Sequence, residues 1–569
     1  MGEFIRLITC TYFPVMRRAG VGGFDHMSNN QTFDIIVVGS GAAGLSAALA
    51  AGHAGAKVLV AEKAPVLGGT TAMSGGCIWV PNHHHQAAMG VTDSKKAALD
   101  YIRAVSPEGW HNTEEPLWAT FVDKAPEMLK FVEQNSPMRF TANRDPDPYA
   151  ETDGGLKFGR NLSAAPIRPA ILGPWRDKLR QPAIQVDLNY EEVFDNHFLA
   201  NPKKWGLLYA PRLIWRKLLG LRTRGNALIT GLLKGCLDHG VEVWAEAPAK
   251  TLKITDGKIT GIVIERDGEN AEIDVTGGVI LASGGFEWNR KMMAKHFPGP
   301  VEWTASPDTN TGDGQRMAMD AGAQLDRMDQ ALIMGTTPVT YEGKRQGLPA
   351  GDYFLPHSMI VNVHGQRFVN EKQMNIGLAF DKRDPETGHP VNLPAWRIYD
   401  GQYAAKYSHL MPKASIPDNR FQAGTLEALA EMVGVDAEGL ARTAKRFSEF
   451  ARAGKDEDFG RGSSIWDTAR GGDPVHKPNP TLGTIEKPPF TAMPFKASFL
   501  GTKGGPRTDE KARALRPDGT VIEGLYAAGN VMANSFGSKG VGAGTTLGPC
   551  LTWGYIAGGD AAARGRGVL

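Results

Sequence analysis

The chain of 569 residues is 42% apolar and 22% charged, with 63 basic residues against 61 acidic ones and a net charge of +2. Such a composition builds a globular protein with a large core, and the balanced charge argues against RNA or DNA as a partner. The cysteines (Cys10, Cys77, Cys236, Cys550) show no CxxC and no histidine spacing, which argues against a zinc or iron–sulfur site and fits free thiols in a reducing, cytoplasmic setting.

Residues 1–30 read as a loosely ordered tail. Their apolar piece, 4–16, contains Arg6 and Pro14 and is too short to cross a membrane. Residues 33–38 are a β-branched run that reads as a buried parallel strand. Gly39, Ser40, Gly41, Ala42, Ala43 and Gly44 follow, then an alanine-rich helix over 45–54 and a second strand over 57–61 that ends on Glu62. Strand, GxGxxG, helix and acid together form a Rossmann-type βαβ unit for a dinucleotide. Gly39 permits the tight turn, Gly41 lets the backbone approach a pyrophosphate on the helix N-terminus, and Gly44 lets helix and strand pack closely. Glu62 would accept hydrogen bonds from a ribose diol, which disfavours the 2′-phosphate of NADP.

A second glycine cluster occupies 68–76. Near the C-terminus, 524–530 is an apolar strand running into Gly529 and Asn530, which suits a flavin ribityl chain. Between them, 279–286 is another strand ending in glycines. These runs point to FAD, held non-covalently on a domain split in sequence by inserted material. Beyond the first fingerprint and Glu62, the expected lining is Lys63, with Gly69, Thr70, Thr71, Ser74, Gly75 and Gly76 from the second cluster. Ala282, Ser283 and Gly284 would join them from the middle strand, and Gly529, Asn530, Gly544, Thr546 and Leu547 from the C-terminal part.

His83, His84 and His85 have no carboxylate close in sequence and read as a polar loop near the flavin, so no metal is expected. Residues 205–221 (WGLLYAPRLIWRKLLGL) are interrupted by Pro211, Arg212, Arg216 and Lys217 and do not span a bilayer. They read as core, as a lid over a lipophilic substrate, or as a helix on a membrane surface.

Five stretches carry a family resemblance: EKAPVLGGTTAMSGGCIWVPN (62–82), ILASGGFEWN (280–289), TGDGQRMA (311–318), VNVHGQRFVNE (361–371) and GLYAAGNVMANSFGSKGVGAGTTLGPCLTWGYIAG (524–558). From about Thr32 onward the chain resembles the fumarate reductase and 3-ketosteroid dehydrogenase flavoproteins, with the WVPN element and the C-terminal run nearer to the second branch. The resemblance implies an α/β fold: a Rossmann-type, GR2-like FAD domain built from 31–303 and 484–569, capped by an inserted α+β substrate domain over 304–483. It also implies a reaction. A base removes a proton beside a ring ketone, hydride passes to the flavin, and a ring C–C bond becomes C=C.

The family's backbone donor to the ketone oxygen matches Gly544. Its two tyrosines near that donor and after the RFxNE element are replaced by Gly540 and Asn375, while a third matches Tyr149. Tyr353 is then the expected base, Tyr149 a hydrogen-bonded relay, and Arg367 stands where fumarate reductases keep a proton-donating arginine. The implied partners are a lipophilic ketone, a 3-oxosteroid or a smaller cyclic ketone, and an external electron acceptor. The alternative is a fumarate reductase-like reductase of an activated C=C bond.

Overall fold

The structure is a computed structural model that describes residues 31–182, 187–194, 197–299, 301, 303–349, 353–407 and 420–567. The tail expected over 1–30 lies outside the described residues.

Strand β1 (Gln31–Val38) leads into helix α1 (Ala42–His53) and strand β2 (Val58–Ala61). β1 and β2 pair in parallel from Ile35↔Val58 to Val38↔Ala61. Helix α2 (Arg224–Asp238) precedes β3 (Glu242–Trp244), which extends the sheet beyond β2, again in parallel. On the other side β1 pairs with β4 (Glu269–Leu281), and β4 with β5 (Val521–Ala527), both in parallel. Ile35, Ile36 and Val37 are wholly buried because both faces of this sheet are covered, and each such side chain contributes about 1.5–3 kcal/mol.

The alanine-rich composition of α1 has a clear use. The last helix, α3 (Leu547–Gly565), lies so close to it that a Cβ at Gly554 would fall 2.3 Å from Ala43 O, and one at Gly558 would fall 2.2 Å from Ala47 O. Small residues on both helices permit that approach, and they tie the two ends of the chain into one unit.

The intervening chain builds smaller sheets. Ala331–Tyr341 lies between Lys344–Pro349 and Lys496–Thr502, and Trp303–Thr304 pairs with the latter. Ala395–Tyr399 lies between Ser358–Asn362 and Phe490–Pro494, with Phe421–Ala423 at the edge. Helices Leu426–Val433 and Ala437–Ala453 cover this sheet through Leu429, Leu440 and Phe447. The expected return to the FAD domain at 484 differs from this arrangement. Phe490–Pro494 and Lys496–Thr502 belong to the inserted sheets, and the chain rejoins the parallel sheet with Arg513–Leu515 and β5. Apolar strands satisfy either sheet equally well, so only the tertiary register assigns them.

Cys77–Trp79, Asn161–Ala164 and Phe140–Ala142 form a three-stranded sheet. It sits on the start of α3, where Trp79 N donates to Gly544 O at 3.3 Å. The 205–221 stretch lies mostly in helix Pro202–Leu218, and its reading as core is overturned on one face: Leu207 is 79% and Leu218 78% exposed, with Leu208, Ile214 and Trp215 also outward. Among the described residues no helix is long and apolar enough to cross a membrane.

Candidate functional site

A deep cleft opens where the parallel strands end. Its floor is the β1–α1 turn, lined by Gly39, Ser40, Gly41, Ala42 and Ala43. Gly39 has φ +107°, and a Cβ there would fall 2.6 Å from Ala282 O at the end of β4. A Cβ on Gly44 would fall 1.9 Å from Gly39 O, so Gly44 packs the turn from behind and does not itself face the cleft.

Glu62 and Lys63 line one end. Glu62 Oε2 accepts from Ser40 N and Oγ at 3.1 and 2.7 Å, and Oε1 from Ala64 N at 2.9 Å. A carboxylate keeps lone pairs beyond those three bonds. Lys63 Nζ donates to Asp313 Oδ2 and Thr311 Oγ1 at 2.5 and 2.7 Å. Gly69, Thr70, Thr71 and Ser74 form one wall, Ala282, Ser283 and Gly284 another, and Gly529, Asn530, Thr546 and Leu547 close the far end. Gly75, Gly76 and Gly544 stand just outside this lining. Gly75 lies against the Tyr190 ring, and a Cβ on Gly76 would meet the Arg224 backbone at 2.2 Å.

Sequence reasoning missed Thr309, Asn310 and Asp313, which reach the cleft from the inserted segment, and Leu500 and Gly501. Asn310 Nδ2 bridges Thr70 Oγ1 and Glu287 Oε1 at 3.0 and 2.7 Å. The TGDGQRMA run was the one available signal for Asp313.

The cleft suits a dinucleotide. The N-terminus of α1 presents its dipole to a pyrophosphate, and Glu62 stands at one end. Ser283 Oγ and Asn530 Oδ1 are buried without a partner among the described residues. An orphaned polar atom of that kind costs about 1–3 kcal/mol, and a polar ligand in the cleft would relieve it.

Beyond the far end, the 538–545 loop is fixed at both edges. Gly544 has φ +92°, and a Cβ there would fall 2.6 Å from Ile78 Cα, so glycine alone fits against the Cys77–Trp79 strand. Its carbonyl accepts from Trp79 N and Gly548 N, while its own N–H has no acceptor among the described residues. Thr545 Oγ1 accepts from Val541 N and Gly542 N at 3.2 and 2.7 Å, which holds the loop shut. Lys539 Nζ lies 5.1 Å from the centroid of the Tyr149 ring. The Tyr149 phenol oxygen is buried without a partner among the described residues, and burial holds it above the usual phenol range.

A family model for an FAD binding domain matches residues 34–547. The chain belongs to that family. It is 39% identical over 566 residues to the 3-oxosteroid 1-dehydrogenase of Mycolicibacterium smegmatis, covering 94% of this chain and 98% of the relative. It is 36% identical to the 4-oxocyclohexanecarboxylate 2-dehydrogenase of Sinomonas cyclohexanicum, covering 94% of each. The crystal structure of 3-ketosteroid delta1-dehydrogenase from Sterolibacterium denitrificans in complex with 1,4-androstadiene-3,17-dione matches with a TM-score of 0.85 at 34% identity, covering 94% of this chain and all of that one. This flavoprotein is therefore an FAD-dependent oxidoreductase of the 3-ketosteroid dehydrogenase family.

Two expected residues of the flavoprotein stand in other surroundings. Tyr353 is 6% exposed in an apolar cluster, its ring 5.3 Å from Phe354 and 5.0 Å from Phe495 between centroids. Arg367 donates to Glu371 at 2.9 and 2.8 Å and to Asp456 at 3.2 and 2.8 Å, between the rings of Phe447 and Phe459. Two carboxylates engage its guanidinium, and Arg461 binds the same Glu371 at 3.3 Å. Sequence reasoning also missed buried charges around Trp466, whose ring lies 4.4 Å from the Arg470 guanidinium and whose Nε1 donates to Lys372 O at 2.9 Å. Arg470 and Asp145 pair at 3.4 Å, and Lys372, 4.1 Å above the Phe354 ring, is pushed down to about 7 by burial.

Proposed function

We propose that this flavoprotein dehydrogenates a ring ketone, introducing a C=C bond beside the carbonyl, with a 3-oxosteroid or a smaller cyclic ketone such as 4-oxocyclohexanecarboxylate as substrate. The two parts of the chain joined through α1 and α3 form a Rossmann-type FAD domain, and the inserted sheets close over it. FAD, when bound, supplies the hydride acceptor. Glu62 would hold the ribose, the N-terminus of α1 would face the pyrophosphate, and Ser283 and Asn530, whose oxygens have no partner among the described residues, would hydrogen-bond the cofactor.

One observation carries the reading. Gly544 offers a backbone N–H without an acceptor among the described residues, on a loop pinned by Trp79 and Thr545, two residues before cleft-lining Thr546. A donor fixed in advance polarises a carbonyl oxygen and makes the adjacent C–H acidic, at no reorganisation cost. Tyr149, whose oxygen is buried beside Lys539 without a partner among the described residues, is the phenol best placed to take that proton. The apolar cage of Tyr353 suits packing, and the engaged Arg367 speaks against reduction of a dicarboxylate. The peripheral membrane contact considered for 205–221 is consistent with the outward Leu207, Trp215 and Leu218, which would bring the enzyme to a lipophilic substrate.

The test is anaerobic mixing of the FAD-loaded enzyme with a 3-oxosteroid, 4-oxocyclohexanecarboxylate and succinate, followed by turnover with an artificial electron acceptor. The reading requires the flavin to bleach with at least one ketone and not with succinate. Bleaching by succinate with the ketones inert would establish the reductase reading instead.

A further inference from the structure

The expectation of no metal rested on the lack of a carboxylate near the histidine run. The fold supplies one from a distant segment, Glu133 on helix His111–Asn135. His84 Nε2 stands 2.9 Å from Glu133 Oε2, and His85 Nε2 stands 3.1 and 3.2 Å from the two oxygens. One atom from each of the three residues lies within 4.8 Å of the others. His83 takes no part: its Nε2 meets Gly159 O at 2.7 Å, and its Nδ1 accepts from His85 N at 3.2 Å. That last bond holds the backbone where the rings of His84 and His85 meet, 4.0 Å apart between centroids and tilted by 40°.

We propose that His84, His85 and Glu133 bind one divalent transition metal of the Zn2+ class, with water completing its shell. Zinc–nitrogen and zinc–oxygen bonds of about 2.0–2.2 Å put tetrahedral ligand atoms about 3.3–3.5 Å apart. The two histidine–carboxylate spacings here need to widen by only a few tenths of an ångström, each imidazole shifting its proton to Nδ1. Two imidazoles and a carboxylate suit Zn2+, Ni2+ or Cu2+, whereas Mg2+ and Ca2+ take oxygen ligands.

The ligands are held in advance. Glu133 Oε1 accepts from Phe140 N at 3.0 Å, and its side chain is 10% exposed against 33% and 29% for His84 and His85. The site joins the loop after Cys77–Trp79, the strand that pins Gly544, to a helix packed on α3. The metal would be a structural clip behind the Gly544 loop, with no part in electron transfer.

The FAD-loaded full chain, treated with EDTA and desalted, is titrated with ZnCl2 by calorimetry and metal analysis. One Zn2+ per chain is expected. The double variant H84A/H85A should lose at least about tenfold in affinity, the scale of even a second-shell loss, and MgCl2 should not bind. Zn2+ should raise the thermal midpoint of the parent, read by flavin fluorescence, and leave that of the variant unchanged. Should H84A/H85A lose FAD, H84Q/H85Q serves as the folded control and should show the same loss. Absence of stoichiometric uptake by the parent overturns the proposal. So does equal affinity in the folded variant, which would place the ion elsewhere, for example at His53 and His239, whose ring nitrogens lie 3.3 Å apart.

Discussion

A Cβ at Gly540 would sit 3.5 Å from Nδ2 of Asn375. The two positions at which the resemblance places tyrosines are thus neighbours in space. Asn375 has taken a structural part there, donating to Ser538 O at 3.0 Å at the start of the loop that carries Gly544. Asn375→Leu should leave that carbonyl unpaired, at about 1–3 kcal/mol, and loosen the loop. The expected result is a fall of about tenfold or more in the rate of flavin reduction by ketone, with FAD content unchanged, measured by stopped-flow bleaching.

Tyr149→Phe should slow flavin reduction by about 100-fold, the lower end of general acid–base contributions, whereas Tyr353→Phe should stay within a few-fold of the parent. Burial raises the Tyr149 phenol above its ordinary value, so its anion is scarce at neutral pH. The rate should climb about tenfold per pH unit from pH 7 until the phenol titrates. A flat profile, or a severe loss in Tyr353→Phe with a normal Tyr149→Phe enzyme, would exchange the two roles.

Glu62→Gln keeps the shape of the side chain and removes its charge. The bonds from Ser40 and Ala64 weaken together with any bond to the ribose, so FAD binding should fall by about 1–3 kcal/mol. Equilibrium dialysis of the apoprotein with FAD measures the change. Acid precipitation of the parent should release all of its flavin as FAD, since the cofactor is held non-covalently.

Burial pushes Lys372 down to about 7, from near 10.4 in an unfolded chain. Its folded value lies below the unfolded one, so between those limits the unfolded state holds more protons and stability rises with pH across that window. Lys372→Met removes a cation that is costly to bury. The variant should melt several degrees above the parent at pH 6–7, and the gain should disappear by pH 10. Thermal scans across that range check both sign and window.

The sequence by itself determined the βαβ unit, its glycines, the acid at the end of β2 and the family. Each of these depends on backbone conformation and hydrogen bonding within a few residues: Gly39 must reach a positive φ, Gly44 must have no Cβ, and Glu62 must end its strand. Only the tertiary structure decided that Phe490–Thr502 belongs to the inserted sheets, that Asn310 and Asp313 reach the cleft, and that Arg367 is bound by Glu371 and Asp456. The same holds for the apolar cage around Tyr353 and for the meeting of Glu133 with His84 and His85. These arrangements join side chains from segments far apart in the chain. No local periodicity records them, because they are set by which surfaces bury each other when the sheets pack.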